Sequence, residues 1–513
     1  MGHRLGIALP SKYRSQGRSL LRSLSRLLPR LLLIRMASVL RAAVTPAVLL
    51  ALNLALSGCA GPAPAPAPEA KAVLPTQWQA PLPHGGSVLE LANWWQQFDD
   101  PLLVRLVVAA EEASPNVASA RSRIDQAAAS RVGKGATLLP NVSANASASR
   151  GRQDPTLPIA TSSSASLQLA WEIDVFGGGR AGVSAAQARL EGAQALWHDA
   201  RISVAAEVAN AYVTLRACEA DTGQAELDAA SRSETARLTA LSTASGLQSP
   251  ANAALSRASA AQGKVNVAQQ QAQCESQVKA LVALTAIAEP ELRSALAAAS
   301  ARVPLPAEFA LDGVPAQALA QRPDLVNAAR EVIAASADVS ESNAQRYPRV
   351  TLNGSIGAGR IETGQGSGDG SLWSLGPVTL ALPLFDGGAR RANVDAARAR
   401  YDAAASTYRA TLRTAVREVE QALVALHSTA ERAADTQVAA AGFRESFRAA
   451  QARQRGGLAS LFELEDARRS DVQAQTALID LQRERVLAWI SLYRALGGGW
   501  ERADVDKVAA LQP

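Results

Sequence analysis

The sequence repeats itself at a nearly constant offset. Pro115 matches Pro323 and, far along the chain, Gly246 matches Gly457. The offset changes little between these pairs, so one copy has only small insertions relative to the other. A repeat of this length constrains the architecture before any single motif does. It predicts one unit used twice: a helix, two strands, a long helix, a turn and a long helix. The matched segments are 115–117 and 323–325, 139–142 and 347–350, 176–180 and 385–390, 208–215 and 419–426, and 246–249 and 457–460.

The excess positive charge of the chain lies entirely in residues 1–58. They contain nine Lys/Arg and no Asp or Glu, whereas the full chain has 52 Lys/Arg, 46 Asp/Glu and a net charge of +6. The rest is slightly acidic, so no nucleic-acid partner is expected. We expect residues 1–58 to be an export leader. Met36 would begin a leader of ordinary length, so residues 1–35 are expected to be an over-called start.

The leader is predicted to end at a lipid attachment site, Cys59. The apolar run 44–56 follows Arg41 and is too short to cross the ~30 Å bilayer core as a helix. The Leu-Ser-Gly-Cys sequence that follows is similar to the lipobox of bacterial lipoproteins, whose cysteine is acylated. Residues 59–84, rich in proline and alanine, predict an extended tether. Ala60, by resemblance to sorted lipoproteins, indicates the outer membrane and contact with its lipid.

Four segments show the period-two alternation of strands. They form two hairpins, and the second hairpin includes a glycine-rich stretch, 357–370, that predicts a loop. Strands of about ten residues suit a tilted crossing of a membrane. The predicted strands are about 141–150, 165–176, 349–359 and 373–385.

Four strands leave two bare edges, which lipid does not tolerate, and the smallest closed membrane barrels have about eight strands. The strands must therefore close across subunits. The residues alone allow a dimer with eight strands or a trimer with twelve.

Long helices occupy most of the remaining chain, so the fold class is mainly α with membrane β. A helical pattern begins at about Asp100 and runs to Leu138, and Trp94, Trp95 and Phe98 before it predict a small aromatic belt. Helices this long need coiled-coil partners to bury their apolar faces. The predicted hairpin helices are about 181–245, 249–287, 390–456 and 460–496, within repeat units 85–288 and 315–497, with a linker at 289–314 and a tail at 498–513.

Two cysteines, Cys218 and Cys274, are placed symmetrically about the predicted turn at Gly246. In an antiparallel helix pair they face each other, and disulfides persist in exported proteins. We predict a Cys218–Cys274 disulfide; the alternative is two buried free thiols.

The ordered motifs resemble the TolC-like outer membrane factor family, specifically the lipoprotein branch serving RND-type efflux pumps, which includes the NodT-like proteins. The resemblance covers nearly all of the chain after the leader, and it depends on the order and spacing of the motifs rather than on any one of them. The motifs are the lipobox, 94–102 (WWQQFDDPL), 171–177 (WEIDVFG), 383–388 (PLFDGG) and the two Gly-Leu-x-Ser turns.

This resemblance implies a homotrimer with a twelve-stranded barrel in the outer membrane and a long helical barrel in the periplasm. It also implies a periplasmic adaptor, or membrane fusion, protein that links the tip to an inner-membrane RND-type pump. The expected function is a passive conduit for drugs or other small molecules. Two alternatives remain at this stage: the same conduit used for type I protein secretion, and a coiled-coil scaffolding lipoprotein without a pore.

The two turns are the predicted adaptor contacts, by resemblance. Glycine suits the left-handed residue that ends a helix, and serine caps the next helix, so hairpin chemistry alone also explains them. The contact residues are Gly246, Leu247 and Ser249 in the first turn and Gly457, Leu458 and Ser460 in the second.

Glu463 and Asp466, just after the second turn, match acidic residues that line the narrow periplasmic end in the family. They lie at i and i+3 on one helical face, and threefold symmetry would stack them into rings that favour cations. Arg453 and Arg455 are expected partners that could hold the end shut. The alternative is a solvated acidic face. The first unit has the uncharged Asn252 and Leu255 at the equivalent positions.

An enzyme is not expected, and neither is a cofactor or a metal. The three histidines after the leader lie far apart, and the leader holds both methionines. The run Gly177–Gly179 lacks the residues of a phosphate-binding loop. It recurs in the second unit, as a strand-to-helix corner would.

Overall fold

The computed structural model describes residues 94–96, 98–152, 158–298, 301–305, 319 and 321–498. The predicted leader, Cys59, the tether, part of the linker and nearly all of the tail lie outside these residues. The elements in chain order are α1 Pro101–Ala113, α2 Pro115–Ala136, β1 Asn141–Gly151, β2 Ala160–Ile173, α3 Gly178–Ala244, α4 Pro250–Thr285, α5 Glu289–Ala297, α6 Pro323–Ala344, β3 Arg349–Thr363, β4 Gly366–Ala381, α7 Ala389–Arg455 and α8 Leu461–Ala495.

The same order of elements occurs twice: α2-β1-β2-α3-α4 and α6-β3-β4-α7-α8. The helices α3 and α7 have 67 residues each, which is about 100 Å at 1.5 Å per residue. Each folds back on a partner of about half its length, α4 or α8, to form hairpin 1 (α3 and α4) and hairpin 2 (α7 and α8). Within the described residues, no helix is both long and apolar enough to cross a membrane.

The start of the described chain packs on the end of α8 through aromatic rings. Trp94 is buried and stacks on Tyr493 at 5.4 Å between ring centroids, with Trp489 at 5.9 Å. Trp95 meets the edge of Tyr493 at 4.9 Å, and Phe98 is buried in the same core. The predicted aromatic belt is confirmed, and it joins the first described residues to the last long helix.

Two buried arginines hold short segments against the long helices. The Arg216 guanidinium on α3 donates to the Leu296 carbonyl at 3.0 Å, at the end of α5, and to the Glu219 carboxylate at 2.8 Å. Arg322, just before α6, donates to the carbonyl of Ala495 at 2.8 Å. Hydrogen bonds from charged donors are stronger than neutral ones, so these contacts hold α5 and α6 near the middle of the long helices.

The predicted single helix from Asp100 to Leu138 is two helices, and that prediction was wrong. Ser114 has φ −70° and ψ 121°, which is extended backbone. The ring of Pro115 disfavours helical backbone at the residue before it. The Ser114 side chain then accepts a hydrogen bond from the Val117 amide and caps the second helix.

Most of the glycine-rich stretch 357–370 is strand rather than loop. The two strands of the second hairpin were therefore predicted too short at the ends nearest their turn. Only residues 364–365 form the turn between β3 and β4. A Cβ on Gly357 would lie 2.3 Å from the Ala165 carbonyl oxygen of β2. Glycine there permits a close approach between strands, and it does not mark a loop. At the other end, β2 and β4 stop at Ile173 and Ala381, a few residues before their predicted ends.

The four strands form one antiparallel sheet in the order β1-β2-β3-β4. The two hairpins are joined through β2 and β3, whose register pairs Leu167 with Ile356. Within the described residues, β1 and β4 each pair on one side only. The sheet therefore presents an open edge at each end.

The two faces of this sheet differ in polarity. The register aligns Leu167, Ile356 and Trp373 on one face, and all three are exposed. The other face carries serine hydroxyls that bond to one another across strands. The hydroxyl pairs are Ser147 with Ser164 at 3.0 Å, Ser149 with Ser162 at 2.8 Å, and Ser355 with Ser374 at 2.8 Å.

The glycine runs after β2 and β4 form strand-to-helix corners, as the sequence predicted. Gly177 and Gly388 have φ of 75° and 93°. The Asp174 carboxylate accepts the amides of Gly179 and Arg180 at 3.1 and 2.9 Å. An aspartate therefore occupies the helix N-terminus that a phosphate would use.

Cys218 of α3 and Cys274 of α4 form a disulfide, with Cα atoms 5.6 Å apart. It joins the two helices of hairpin 1 well before their turn, as the placement of the cysteines about Gly246 predicted.

Candidate functional site at the helical tips

The turns of the two hairpins have the same backbone structure. Gly246 and Gly457 are left-handed, with φ of 74° and 73°. The following amides, Leu247 and Leu458, donate to carbonyls five residues back, each at 2.8 Å. This is the hydrogen bonding of a Schellman motif, which ends a helix and satisfies its last carbonyls. Each hairpin therefore ends in a rigid turn that presents a leucine.

The serine of each turn begins the next helix. The Ser249 hydroxyl accepts the Asn252 amide at 3.2 Å, and the Ser460 hydroxyl accepts the Glu463 amide at 3.1 Å. Hydrogen bonds therefore fix the backbone of the turn on both sides of the leucine. Leu247 is 79% exposed and Leu458 is 77% exposed. Each turn thus holds a bare leucine, and Phe462, also exposed, follows the second turn.

The acidic residues after the second turn lie on the surface of this chain. Glu463 forms an ion pair with Arg453 of α7 at 2.8 Å. Within the described residues, the oppositely charged group nearest Asp466 is Arg469, at 3.7 Å, and both side chains are more than 60% exposed. Asp466 is thus available to a neighbouring copy or to ions.

Among the described residues, no ion pair joins Arg455 to Glu463 or Asp466. The Arg237 guanidinium holds the pKa of Glu234 below its usual value, and Arg455 adds a smaller effect in the same direction. Arg453 is thus the arginine that pairs with Glu463 within the described chain.

Comparison with known proteins assigns the chain to a family. The sequence profile of the outer membrane efflux proteins matches residues 106–286 and 314–498, more than half of the chain. This chain belongs to the outer membrane efflux protein family. The resemblance seen in the sequence is confirmed. Proteins of this family are outer membrane transport conduits rather than enzymes.

Curated relatives align with this efflux protein over most of their length. Nodulation protein T of Rhizobium leguminosarum bv. viciae is 28% identical over 444 residues, 83% of this chain and 88% of that protein. The pyoverdine export outer membrane protein OpmQ of Pseudomonas putida is 30% identical over 439 residues, 83% and 92% of the two chains.

Solved structures share the fold of this efflux protein. The outer-membrane channel OprN superposes with a TM-score of 0.74 at 26% identity, over 83% of this chain and 98% of that one. VceC from Vibrio cholerae superposes with a TM-score of 0.69 at 27% identity, over 80% and 99% of the two chains.

Sequence reasoning missed a buried acid between the two acidic residues that it selected. The Glu465 side chain is 12% exposed and pairs with Arg468, which is 1% exposed. The missed signal was Arg468 itself. It lies seven residues after Leu461 and four after Leu464, in the stripe of α8 where this efflux protein buries leucines. A charged residue in such a stripe indicates a buried ionic partner.

A carboxyl group between the hairpins of this efflux protein has a perturbed pKa. Burial of Asp221 on α3, with the nearby Asp480 carboxylate of α8, raises its pKa from 3.8 to about 6, and Arg483 opposes the shift. One oxygen of Asp221 is buried without a hydrogen-bond partner in the described structure. The fold therefore favours the neutral form.

Asp221→Asn is expected to stabilise the protein by about 1–2 kcal/mol at pH 7.5, after allowance for partial exposure. A raised pKa means that ionised Asp221 destabilises the folded state at neutral pH. This cost falls as the pH is lowered through 6, and it vanishes once the carboxyl is protonated in the unfolded chain as well. The gain in melting temperature should therefore shrink toward pH 4.

The matched control is Asp402→Asn, which removes the same charge from an exposed position on α7. It should not change the melting temperature at either pH. A gain for Asp221→Asn that is equal at pH 7.5 and pH 4 would contradict the assignment.

Proposed function

We propose that this protein is the outer membrane channel of a tripartite RND-type efflux system. The observation that carries the proposal is the four-stranded sheet with one bare apolar face, one serine-rich face and two open edges. Lipid favours the apolar face and excludes unpaired edges. Joining β4 of one copy to β1 of the next satisfies both requirements, and it places the hydroxyl face inside a closed barrel.

Three copies are favoured over two because of the width of the barrel. Two copies would give eight strands, and an eight-stranded barrel has an interior that side chains nearly fill. Three copies would give twelve strands and leave room for a solute. The same trimer would bring twelve long helices together below the barrel.

The hairpins also carry apolar side chains that a single chain leaves bare. Leu227 and Leu241 on α3, and Val438 and Phe443 on α7, are all exposed. Helices of about 100 Å are stabilised by coiled-coil contacts along their length. Neighbouring copies supply those contacts in the proposed trimer.

Native mass spectrometry of the detergent-solubilised protein tests the trimer. Three copies per particle are expected. Two copies would support an eight-stranded barrel, and a folded monomer would contradict closure between copies.

The tips are the proposed contacts for a periplasmic adaptor, which links the channel to an inner-membrane pump. Leu247 and Leu458 are fixed, exposed and apolar, and these properties suit insertion into a groove of a partner. The adaptor sites are Gly246, Leu247, Ser249, Gly457, Leu458 and Ser460. The cargo is proposed to be small molecules because the relative OpmQ is named for export of pyoverdine.

Glu463 and Asp466 are proposed to form the ionic ring at the periplasmic end. We expect Asp466→Ala to leave folding unchanged and to raise single-channel conductance, because it removes the exposed carboxylates that hold cations at the narrowest point. Conductance of purified protein in planar bilayers measures the effect. Leu255→Ala, at the equivalent position of hairpin 1, is the control. Equal conductance for wild type and Asp466→Ala would argue against the ring.

Cys59 is the proposed lipid anchor. Cells given a radioactive or alkyne-tagged palmitate should label the wild type and fail to label Cys59→Ala. Acylation tethers the chain but does not insert the barrel, so Cys59→Ala should still form channels. The variant Cys218→Ala/Cys274→Ala should keep the label. A labelled Cys59→Ala protein would refute the assignment.

A further inference from the structure

The half of each hairpin that lies nearest the tip has few large apolar contacts with the other hairpin. The buried residues of the main core reach Ala217 on α3 and Val278 on α4, and the partly buried Cys274 packs against them; none of the core's buried residues lies nearer the tip on either helix. Beyond it, the buried residues of hairpin 1 are small or polar, and the one apolar cluster in hairpin 2 is internal to that hairpin. These residues are Asp228, Ala229, Thr235, Thr239, Ala253, Ser256 and Gly263 in hairpin 1, and Ala450, Leu461 and Leu464 in the cluster of hairpin 2.

Four charged residues join the hairpins in this region: Asp228 and Arg232 of α3, and Glu465 and Arg468 of α8. Asp228 and Arg468 are buried, and the side chains of Arg232 and Glu465 are mostly shielded. We call these four residues the charge node. The Arg468 guanidinium donates to Thr235 at 2.9 Å, pairs with Glu465 and lies 3.8 Å from the Asp228 carboxylate. Arg232 donates to Asp228 at 2.7 Å and approaches Glu465 at 3.6 Å. The node is electrically neutral.

Hydroxyl groups from both helices of hairpin 1 complete the charge node. Ser231 accepts a hydrogen bond from Arg468 at 3.1 Å. The Ser259 hydroxyl on α4 accepts from Arg232 and donates to Glu465, each at 2.9 Å. The Phe447 ring on α7 lies 5.4 Å from the Arg468 guanidinium. All four long helices therefore contribute to the charge node or contact it.

A sliding motion of α8 along α3 would break every contact of the charge node that joins these two helices, while the pairs within one helix would remain. Small residues such as alanine form smooth helix faces, which pack similarly after a shift of one turn, about 5.4 Å. The charge node has no equivalent set of contacts one turn away. Asp228 is the buried acid of α3 in this region, and the nearest acids on that helix, Glu226 and Glu234, are exposed. A shifted Arg468 would keep Glu465, which lies on its own helix, but it would lose Asp228 and both hydroxyl acceptors on α3. Buried N–H groups of a charged side chain would then lack partners, which is unfavourable.

We propose that the charge node sets the axial register of hairpin 2 against hairpin 1 and so positions the two tips. Helix α3 leads into the first tip, and α8 begins at the second. The axial position of α8 along α3 therefore fixes the axial offset between Leu247 and Leu458. Arg468 is a positioning residue, since it touches neither tip leucine. The axial register itself does not depend on the proposed function. The idea that this register serves a partner that binds both tips at once does rest on the proposed function.

The distance between spin labels at the tips tests this proposal. Leu247→Cys and Leu458→Cys carry the labels, and Cys218 and Cys274 take none because they form a disulfide. All chains also carry Cys59→Ala, so that the third cysteine takes no label. Labelled chains are diluted with unlabelled chains, so that pairs within one chain dominate the pulsed EPR signal. The parent should give one narrow distance. Arg468→Met should give a broadened distribution with a population displaced by about one helical turn.

Arg469→Met is the matched control, because Arg469 is the next residue, is exposed and approaches only Asp466. It should keep the narrow distance. A narrow, unshifted distance in Arg468→Met would overturn the proposal, even if its melting temperature falls, because the node would then only stabilise the fold.

If Arg468→Met does not fold, Ser231→Ala/Thr235→Val carries the same test. It removes two acceptors of Arg468 and keeps all four charges. A displaced population supports the register role, and a distance equal to that of the parent overturns it. The measurement uses no adaptor, so a failure of adaptor binding would count against the proposed function alone.

Discussion

Replacing both tip leucines with aspartate, Leu247→Asp/Leu458→Asp, is expected to reduce drug efflux by ~tenfold or more while the channel remains folded. Burying a leucine in a partner contributes about 1.5–3 kcal/mol, and 1.4 kcal/mol corresponds to tenfold in affinity. A charge in the same place costs further desolvation. Each tip leucine is more than three-quarters exposed, so the folded channel loses almost no internal packing.

The measurement is the initial rate of dye efflux in cells that lack the native gene and carry each variant at equal outer-membrane abundance. Gln248→Asp/Ala459→Asp is the control, because it adds the same charges to the same turns and keeps both leucines. It should retain most of the efflux. Wild-type efflux from the double leucine variant would show that the tips do not carry the adaptor contact.

Removing the disulfide with Cys218→Ala/Cys274→Ala is expected to cost about 4 kcal/mol of stability, because the bond closes a long loop in the unfolded chain. The two cysteines are 56 residues apart and hold α3 to α4. The loss should appear as a lower temperature for the helix transition in circular dichroism. At growth temperature the variant should still conduct, since the tips and the sheet are unchanged.

Reductant provides the control for the disulfide prediction. The wild type should melt at the temperature of the variant when the bond is reduced, and the variant should not respond to reductant. Equal melting temperatures without reductant would contradict a stabilising disulfide. Two free thiols in non-reducing mass spectrometry would remove the bond altogether.

The sequence predicted the elements whose signals are local. Proline-free alanine-rich runs, glycine turns and serine caps placed the ends of α3, α4, α7 and α8 within a few residues of the observed ends. These signals depend on backbone chemistry that acts within one or two turns of helix. The same reasoning paired Cys218 with Cys274, because residues at equal distances from the turn of an antiparallel hairpin lie opposite each other.

Features that depend on contacts between distant segments were not predicted. The glycines of β3 were assigned to a loop, since the approach of β2 that requires them is visible only in the sheet. The buried partner of Arg468 lies more than 230 residues away on α3. Glu463 and Asp466 drew attention by their motif, while Glu465 between them is the acid that the fold buries.

Single-channel conductance of the purified protein in planar bilayers tests the central claim, that this chain forms a closed, gated conduit with its own copies. We predict small, cation-selective currents with rare openings, from particles whose mass corresponds to three chains. Folded protein that inserts into the bilayer and never conducts would contradict the shared barrel and support a scaffolding lipoprotein.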